Sequence, residues 1–233
     1  MKAVSTSKKP AHHTEQALIE AILNGTFSPG HRLPPERELA SQLGVTRPTL
    51  RETLKQLDRD GWLNIRQGKP TLVNDYWKHG GLNVLNGLVR SGAPLSAEFV
   101  TWLLEVRLVL APAYTKAAVT GCGNDIVALL GDAERLDAEP RSWCEFDWQL
   151  HHQLCVWSGN PVYALILNGF KNIYLEMGAY YFQEKAPRDG SAAFYKALME
   201  LASKGNASQA AELTAGVMEE SLQYWKTLQE EPS

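Results

Sequence analysis

The run Leu33-Pro34-Pro35-Glu36-Arg37-Glu38-Leu39-Ala40-Ser41-Gln42-Leu43-Gly44-Val45-Thr46-Arg47-Pro48-Thr49-Leu50-Arg51-Glu52 holds two helix starts and a helix stop in one short stretch. Proline suits the first helical position, because its missing N–H is not needed there and its φ is already helical, so a helix is predicted to start near Pro35. Leu39 and Leu43 follow at i, i+4 spacing and turn inward together, and Gly44 stops the helix. Thr46 is placed to cap the next helix, which runs to about Arg59 and ends at Gly61. In that helix Leu50, Leu54 and Leu57 share one face at i, i+4, i+7 and are predicted to pack on Leu39 and Leu43. Arg47, Arg51 and Lys55 fall on an adjacent, solvent-facing side, with Thr49 beside them on the first turn. A helix anchored on one face and presenting donors on another is what reading a DNA major groove requires. Arginine can offer guanine two donors at once, and threonine can reach a base edge or a phosphate.

The neighbouring sequence completes a unit. Upstream, Thr14 to Asn24 has Ala17, Leu18, Ala21 and Ile22 on one helical face, with Gly25 at its end, and Phe27-Ser28-Pro29-Gly30 is a turn. Downstream, Trp62-Leu63-Asn64-Ile65 alternates as a short strand, Arg66-Gln67-Gly68-Lys69 forms a hairpin tip, and Thr71-Leu72-Val73 returns. Pro70 beside the tip makes the return an edge strand. Gly68 lets the backbone approach DNA closely, and the basic side chains around it suit phosphates. Basic residues on a helix face are usually only solvated. The cap, the apolar opposite face, the preceding helix and a basic hairpin in this order argue for a winged helix-turn-helix that binds DNA.

The fold class expected is mostly α. Residues 1–10 read as a disordered tail, 11–76 as the winged helix-turn-helix of three helices plus a β-hairpin wing, and 77–92 as a linker. That linker has glycine breaks at Gly80-Gly81 and Gly92, and is partly helical at Leu82, Leu85 and Leu88. Residues 93–230 read as an all-α bundle, with helical spacing near 96–119, 124–138, 143–158, 161–182, 190–204 and 207–229. Helices of ordinary globular length make that roughly six or seven.

Composition sets limits on function. The net charge of −3 conceals a split. Residues 1–76 carry 11 Lys/Arg against 8 Asp/Glu, or +3, and the remainder carries 12 against 18, or −6. A basic front on an acidic body is compatible with nucleic-acid binding by the front. No run approaches the roughly 18 apolar residues of a transmembrane helix. Met1 to Pro10 has Lys2, Lys8 and Lys9 but no apolar core, so it does not read as a signal peptide. Cys122, Cys144 and Cys155 contain no CxxC pair and suit reduced thiols in the cytoplasm.

The block from Leu33 to Ala40 followed by Leu43 to Glu52 resembles the GntR superfamily of bacterial regulators, and the likeness covers about residues 14–75. The resemblance implies that Arg37, Arg47, Thr49 and Arg51 contact DNA, that Thr46 caps its helix and touches phosphate, and that Gly68 and Lys69 act at the wing, with Gln67 between the wing's basic residues. Further stretches resemble the fatty-acid-responsive FadR branch: Asp60-Gly61-Trp62-Leu63, Gln67 to Thr71, Gly81 to Leu85, Ser158 to Gly169, Tyr180-Tyr181-Phe182, Phe194-Tyr195 and Ser221…Trp225. Three positions depart from that branch. Pro48 stands where threonine is frequent and Gln67 where a wing histidine is common, which bears on the operator. Met218 stands where a small residue would line a ligand channel.

The branch implies a homodimer on double-stranded operator DNA, repressing fatty-acid breakdown and activating unsaturated fatty-acid synthesis. It implies no cofactor, and a long-chain acyl-CoA or fatty acid as effector. Arg107 would meet the phosphates of a coenzyme A head, and Tyr181, Tyr195, Met218, Ser221 and Trp225 would line the thioester and acyl channel. The aromatic richness of the C-terminal half, by composition alone, describes an ordinary bundle core as well as a lipid tunnel.

Two other readings arise. A related branch senses small carboxylates through a divalent metal held by Asp-x-x-x-His and two later histidines. Asp147 and His151 have that spacing, but no histidine follows His152, and Tyr195 falls where a later ligand is expected. Two side chains rarely hold a divalent ion tightly, so no metal site is expected and the pair is read as packed within a helix. An acyl-CoA-using enzyme is the other reading. The sequence has no GxSxG, no Cys-His pair and no Gly-rich phosphate loop, and His151-His152 lacks the downstream aspartate of an acyltransferase motif, so no catalysis is expected.

Overall fold

The computed structural model describes residues 8–91 and 96–230. The chain divides into two compact units, residues 1–94 and 95–233.

In the first unit α1 spans Lys8–Leu23, α2 Glu36–Gln42 and α3 Arg47–Asp60. α1 starts six residues before Thr14, inside the stretch read as a tail. Pro10 is no obstacle there, since the first helical turn needs no N–H donor. Residues 1–7 of that tail lie outside the described residues. Thr46 caps α3 by accepting from the Thr49 N–H at 3.3 Å, and Pro48 sits harmlessly in the first turn. Gly61 closes α3 with φ +93°, where a Cβ would also stand 2.9 Å from the Gly80 Cα. Leu50, Leu54 and Leu57 are buried with Leu39, while Leu43 is only half-buried.

Strand β1, Leu63–Asn64, pairs antiparallel with β2, Leu72–Val73, in the register Leu63 to Val73 and Asn64 to Leu72. A lone bridge from Arg32 to Leu72 attaches the hairpin to the chain before α2. The linker is mostly helical: α4 is Tyr76–His79 and α5 Leu82–Arg90. Its second helix packs on the head. Gly87 lies against the fully buried indole of Trp62, where an added Cβ would stand 2.7 Å from Nε1 and 3.0 Å from Cε2 and Cζ2. The ring cannot swing away, so Gly87→Ala is expected to destabilise this unit by about 1–3 kcal/mol through overpacking. Urea denaturation checks it, and an unchanged midpoint would contradict the packing.

In the second unit α6 spans Ala97–Gly131, α7 Pro140–Trp157, α8 Pro161–Tyr181, α9 Lys185–Ser203 and α10 Ala207–Glu230. The segments expected near 96–119 and 124–138 are one helix with a break at Cys122 (φ −134°, ψ 36°), followed by a short 3-10 turn, Asp132–Arg135. The bundle therefore has five α-helices among the described residues. α6 packs against α7, α9 and α10, and α8 closes over α7. The core forms along α6 from Ala111 through Tyr114, Ala118 and Ile126, with Leu150, Leu154, Phe194, Leu198 and Met218. No helix among the described residues is long and apolar enough to cross a membrane. Cys144 and Cys155 are buried, Cys122 is half-buried, and all three are free thiols.

Candidate functional site

One candidate site is the face shared by α2, α3 and the hairpin. Arg37, Thr46, Arg47 and Arg51 are exposed on it, and Thr49 is half-buried at the start of α3 with its hydroxyl 2.9 Å from that of Thr46. The hairpin tip carries exposed Arg66, Gln67, Gly68 and Lys69, turned by Gly68 at φ +71° and by a hydrogen bond from the Lys69 N–H to the Arg66 carbonyl at 3.1 Å. Its base is fixed to the helices. The Ile65 N–H donates to the Asp58 carboxylate at 2.8 Å, and the Asn74 side chain donates to the Gly61 carbonyl at 3.1 Å. Two acids that sequence reasoning did not single out also sit here. Glu36 takes Arg51 at 2.7 Å, and Glu52 takes Lys55 at 2.9 Å. Among the described residues no acid lies within ion-pair distance of Arg37, Arg47, Arg66 or Lys69.

A second candidate site is a cavity of about 120 Å³ inside the helical unit, bordered by α6, α7, α8, α9 and α10. A water-sized group takes about 10–15 Å³ on this scale, so roughly ten such groups fit. The walls are apolar: Val100, Leu103 and Leu104 from α6, Ile166, Leu167 and Phe170 from α8, and Val217 from α10. Arg107, Tyr181, Met218, Ser221 and Trp225 all line it, so five of the six residues expected at a ligand meet there. Tyr195 stands behind the wall, its hydroxyl donating to Asp147 Oδ1 at 2.9 Å. The Tyr181 and Ser221 hydroxyls are 3.3 Å apart, and Ser221 also donates to the Val217 carbonyl at 2.9 Å. Trp225 Nε1 donates to the Ala97 carbonyl at 3.1 Å, which leaves the hydrocarbon of the indole for the cavity.

Residues 10–73 match the family described as bacterial regulatory proteins, gntR family, and residues 74–232 match the FadR C-terminal domain. The chain is a gntR-family regulator of the FadR type. A fatty acid metabolism regulator protein of Shewanella pealeana is 39% identical over 225 residues, 94% of each chain. One of Edwardsiella ictaluri is 38% identical over 226 residues, 97% of this chain and 95% of its own. Among solved structures, Lar of Listeria monocytogenes, described as controlling expression of the agr system and mediating virulence, superposes with a TM-score of 0.65. It is 20% identical, covers 98% of this chain and 100% of its own, and bears on the fold alone. Family membership makes the chain a regulatory protein and not an enzyme.

In this FadR-type domain the polar part of the cavity is built around Asp147. Its carboxylate accepts from Arg107 Nη2 at 3.1 Å, from the Tyr174 hydroxyl and from Tyr195, and Arg107 lies over the Tyr174 ring. Burial alone pushes the Asp147 carboxyl up. His151, Arg107 and the hydroxyls of Tyr174 and Tyr195 outweigh it and hold the carboxyl below its usual range. A metal does not fit this donor set. The Arg107 guanidinium fills the cation's place beside Asp147, and Tyr195 gives that carboxylate a hydroxyl donor rather than a further imidazole ligand. Among the described residues no three His, Cys, Asp or Glu side chains gather as ligands.

His151 is fully buried, with Nδ1 2.8 Å from the Tyr114 hydroxyl and Nε2 3.8 Å from Asp147 Oδ1. Burial, then the nearby Arg107 charge, pushes its pKa down from 6.5 to about 4, so it is neutral at physiological pH. Between those values the unfolded chain takes up a proton that the folded chain does not. Stability is therefore expected to fall as pH drops from about 6.5 to about 4. Urea denaturation at several pH values reads this, and His151→Gln should flatten the slope. An equally steep slope in His151→Gln would show that another group titrates.

Proposed function

We propose that this FadR-type regulator controls genes of fatty-acid metabolism by binding an inverted-repeat operator as a homodimer, and that a long-chain acyl-CoA or fatty acid in the helical unit releases it. The observation that carries the reading is the cavity. Its walls are largely hydrocarbon from α6, α8 and α10, and its polar lining includes the Arg107–Asp147–Tyr174 group and the Tyr181–Ser221 pair. An acyl chain with one polar end matches that distribution. Arg107 Nε is buried and lacks a hydrogen-bond partner among the described residues, so it is the cation available to the ligand's phosphate, carboxylate or thioester end. The names of the relatives, fatty acid metabolism regulator proteins, agree with this chemistry.

DNA binding follows from the α2–α3–hairpin face. One winged helix makes few base contacts, and two-fold symmetry doubles them, which is the reason for a dimer on a repeat. We assign Arg37, Thr46, Arg47, Thr49 and Arg51 to the groove and Gln67, Gly68 and Lys69 to the flanking backbone. The protein then works in the cytoplasm, where its DNA is. Arg47→Ala is expected to cost about 1–3 kcal/mol per half-site and to relax specificity there. Lys69→Ala should weaken all sequences more evenly. Gel-shift titration on a duplex enriched from a random pool measures both, and wild-type binding by Arg47→Ala would remove the recognition-helix assignment. The ligand is tested by native mass spectrometry of the purified protein. A bound acyl species that shifts the gel titration supports the reading, and an acyl-CoA that leaves the titration unmoved contradicts it.

A further inference from the structure

A DNA-reading face gains nothing from negative charge unless the charge has a task, yet an acid stands in the middle of this one. Glu36, the first residue of α2, reaches across to α3 and takes Arg51 by its side edge. The distances are 2.7 Å from Nη2 to Oε2, 3.2 Å from Nε to Oε2 and 3.4 Å from Nε to Oε1. Arg51 is exposed, at 52%, and Glu36 is half-exposed, at 35%, and a pair this open to water contributes little to stability. The Glu36 carboxyl is held below its usual range, first by its hydrogen bonds from Arg51 and then by the charges of Arg51, Arg47 and Lys55 around it, so it stays ionised at physiological pH.

We propose that Glu36 is a specificity-determining, positioning residue of the DNA-reading face: it grips the Nε–Nη2 edge of Arg51, cancels that arginine's charge, and leaves the Nη1–Nη2 edge as a fixed pair of donors for a base. A guanidinium has two bidentate edges, one on the side and one at the end. With the side edge taken, the end edge keeps two parallel N–H groups, the geometry that matches guanine O6 and N7. The neutralised fork attracts phosphate less than a free arginine does. Arg51 thus reads bases and adds little to sequence-independent binding, whereas Arg66 and Lys69 at the hairpin tip keep their charge for the backbone. Lys55 is neutralised too, but by Glu52 on its own helix, and an ammonium has no planar edge to orient.

The inference rests on the proposed DNA reading, and the test separates the two. Wild-type full-length protein first enriches a duplex from a random pool. Fluorescence anisotropy then compares that duplex with a scrambled one of equal length across a range of KCl concentrations. Removing an acid from a DNA face would ordinarily tighten binding to every duplex alike. Here Glu36→Gln is expected to bind the scrambled duplex more tightly while losing about tenfold or more in discrimination, and to steepen the salt dependence by about 0.9 per protomer as Arg51 turns to phosphate. In an Arg51→Ala background the same Glu36→Gln change should no longer lower discrimination. If Glu36→Gln keeps wild-type discrimination and salt slope, or lowers discrimination equally without Arg51, Glu36 has no such role although the DNA reading stands. If the wild type enriches no duplex, the DNA reading falls and this inference with it.

Discussion

Replacing Asp147 by alanine is expected to destabilise the helical domain by about 3–5 kcal/mol, the cost of breaking a buried ion pair from one side. The carboxylate is buried and serves Arg107, Tyr174 and Tyr195 together, from α6, α8 and α9. Without it, Arg107 becomes a half-buried cation with no counter-charge and two tyrosine hydroxyls lose their acceptor. Asp147→Asn keeps the shape and one acceptor oxygen, so it should lose less than alanine while still stranding the arginine charge. Urea denaturation of the two variants gives the ranking. A loss below about 1 kcal/mol for alanine would mean that Arg107 finds water or another acceptor, and that the network does not hold these helices together.

The other large effect is expected in the response to ligand. Trp225→Ala removes a wall of the cavity and the indole bond to the Ala97 carbonyl, and Ser221→Asn adds bulk inside the cavity beside Tyr181. Neither residue belongs to the α2–α3–hairpin face. Both variants should keep operator affinity within about twofold and lose the release by acyl-CoA that is proposed for the wild type. A coupling of roughly 3 kcal/mol corresponds to about 150-fold weaker DNA binding in the liganded protein, so loss of release should be plain in a gel titration. Full release by a Trp225→Ala protein would place the effector outside this cavity.

The two units differ in how far their sequence discloses them. The head is written in local signals: Thr46 as a cap, Gly61 as a left-handed stop, leucines at helical spacing, and a glycine at the hairpin tip. Each acts within a few residues, so α3 and the hairpin fall where the pattern places them. The start of α1 was hidden because Lys8, Lys9 and Pro10 read as tail composition, although a proline in a first turn leaves a helix intact. The Cys122 break divides the helical spacing into two segments, since flanking Gly121 and Gly123 are stop signals wherever packing does not override them. The Asp147 network was not legible. Its members lie at sequence separations of 27 to 48 residues, and only the packing of α6, α8 and α9 on α7 brings them together. Periodicity marks Asp147 and His151 as neighbours on one helix but cannot say that Arg107 occupies the cation's place beside them. The Glu36–Arg51 pair joins two helices for the same reason, and resemblance to the family supplied Arg51 without its partner.

A ligand in the helical domain and DNA on the head are proposed to oppose each other. Linkage makes such opposition reciprocal, so operator DNA must weaken the ligand by the factor with which the ligand weakens DNA. Isothermal titration of the full-length protein with a long-chain acyl-CoA, alone and saturated with the enriched duplex, measures that factor directly. Acyl-CoA affinity is expected to be about 150-fold weaker on DNA, at the upper end of usual couplings. Equal affinity in the two titrations would contradict it, however tightly the acyl-CoA binds.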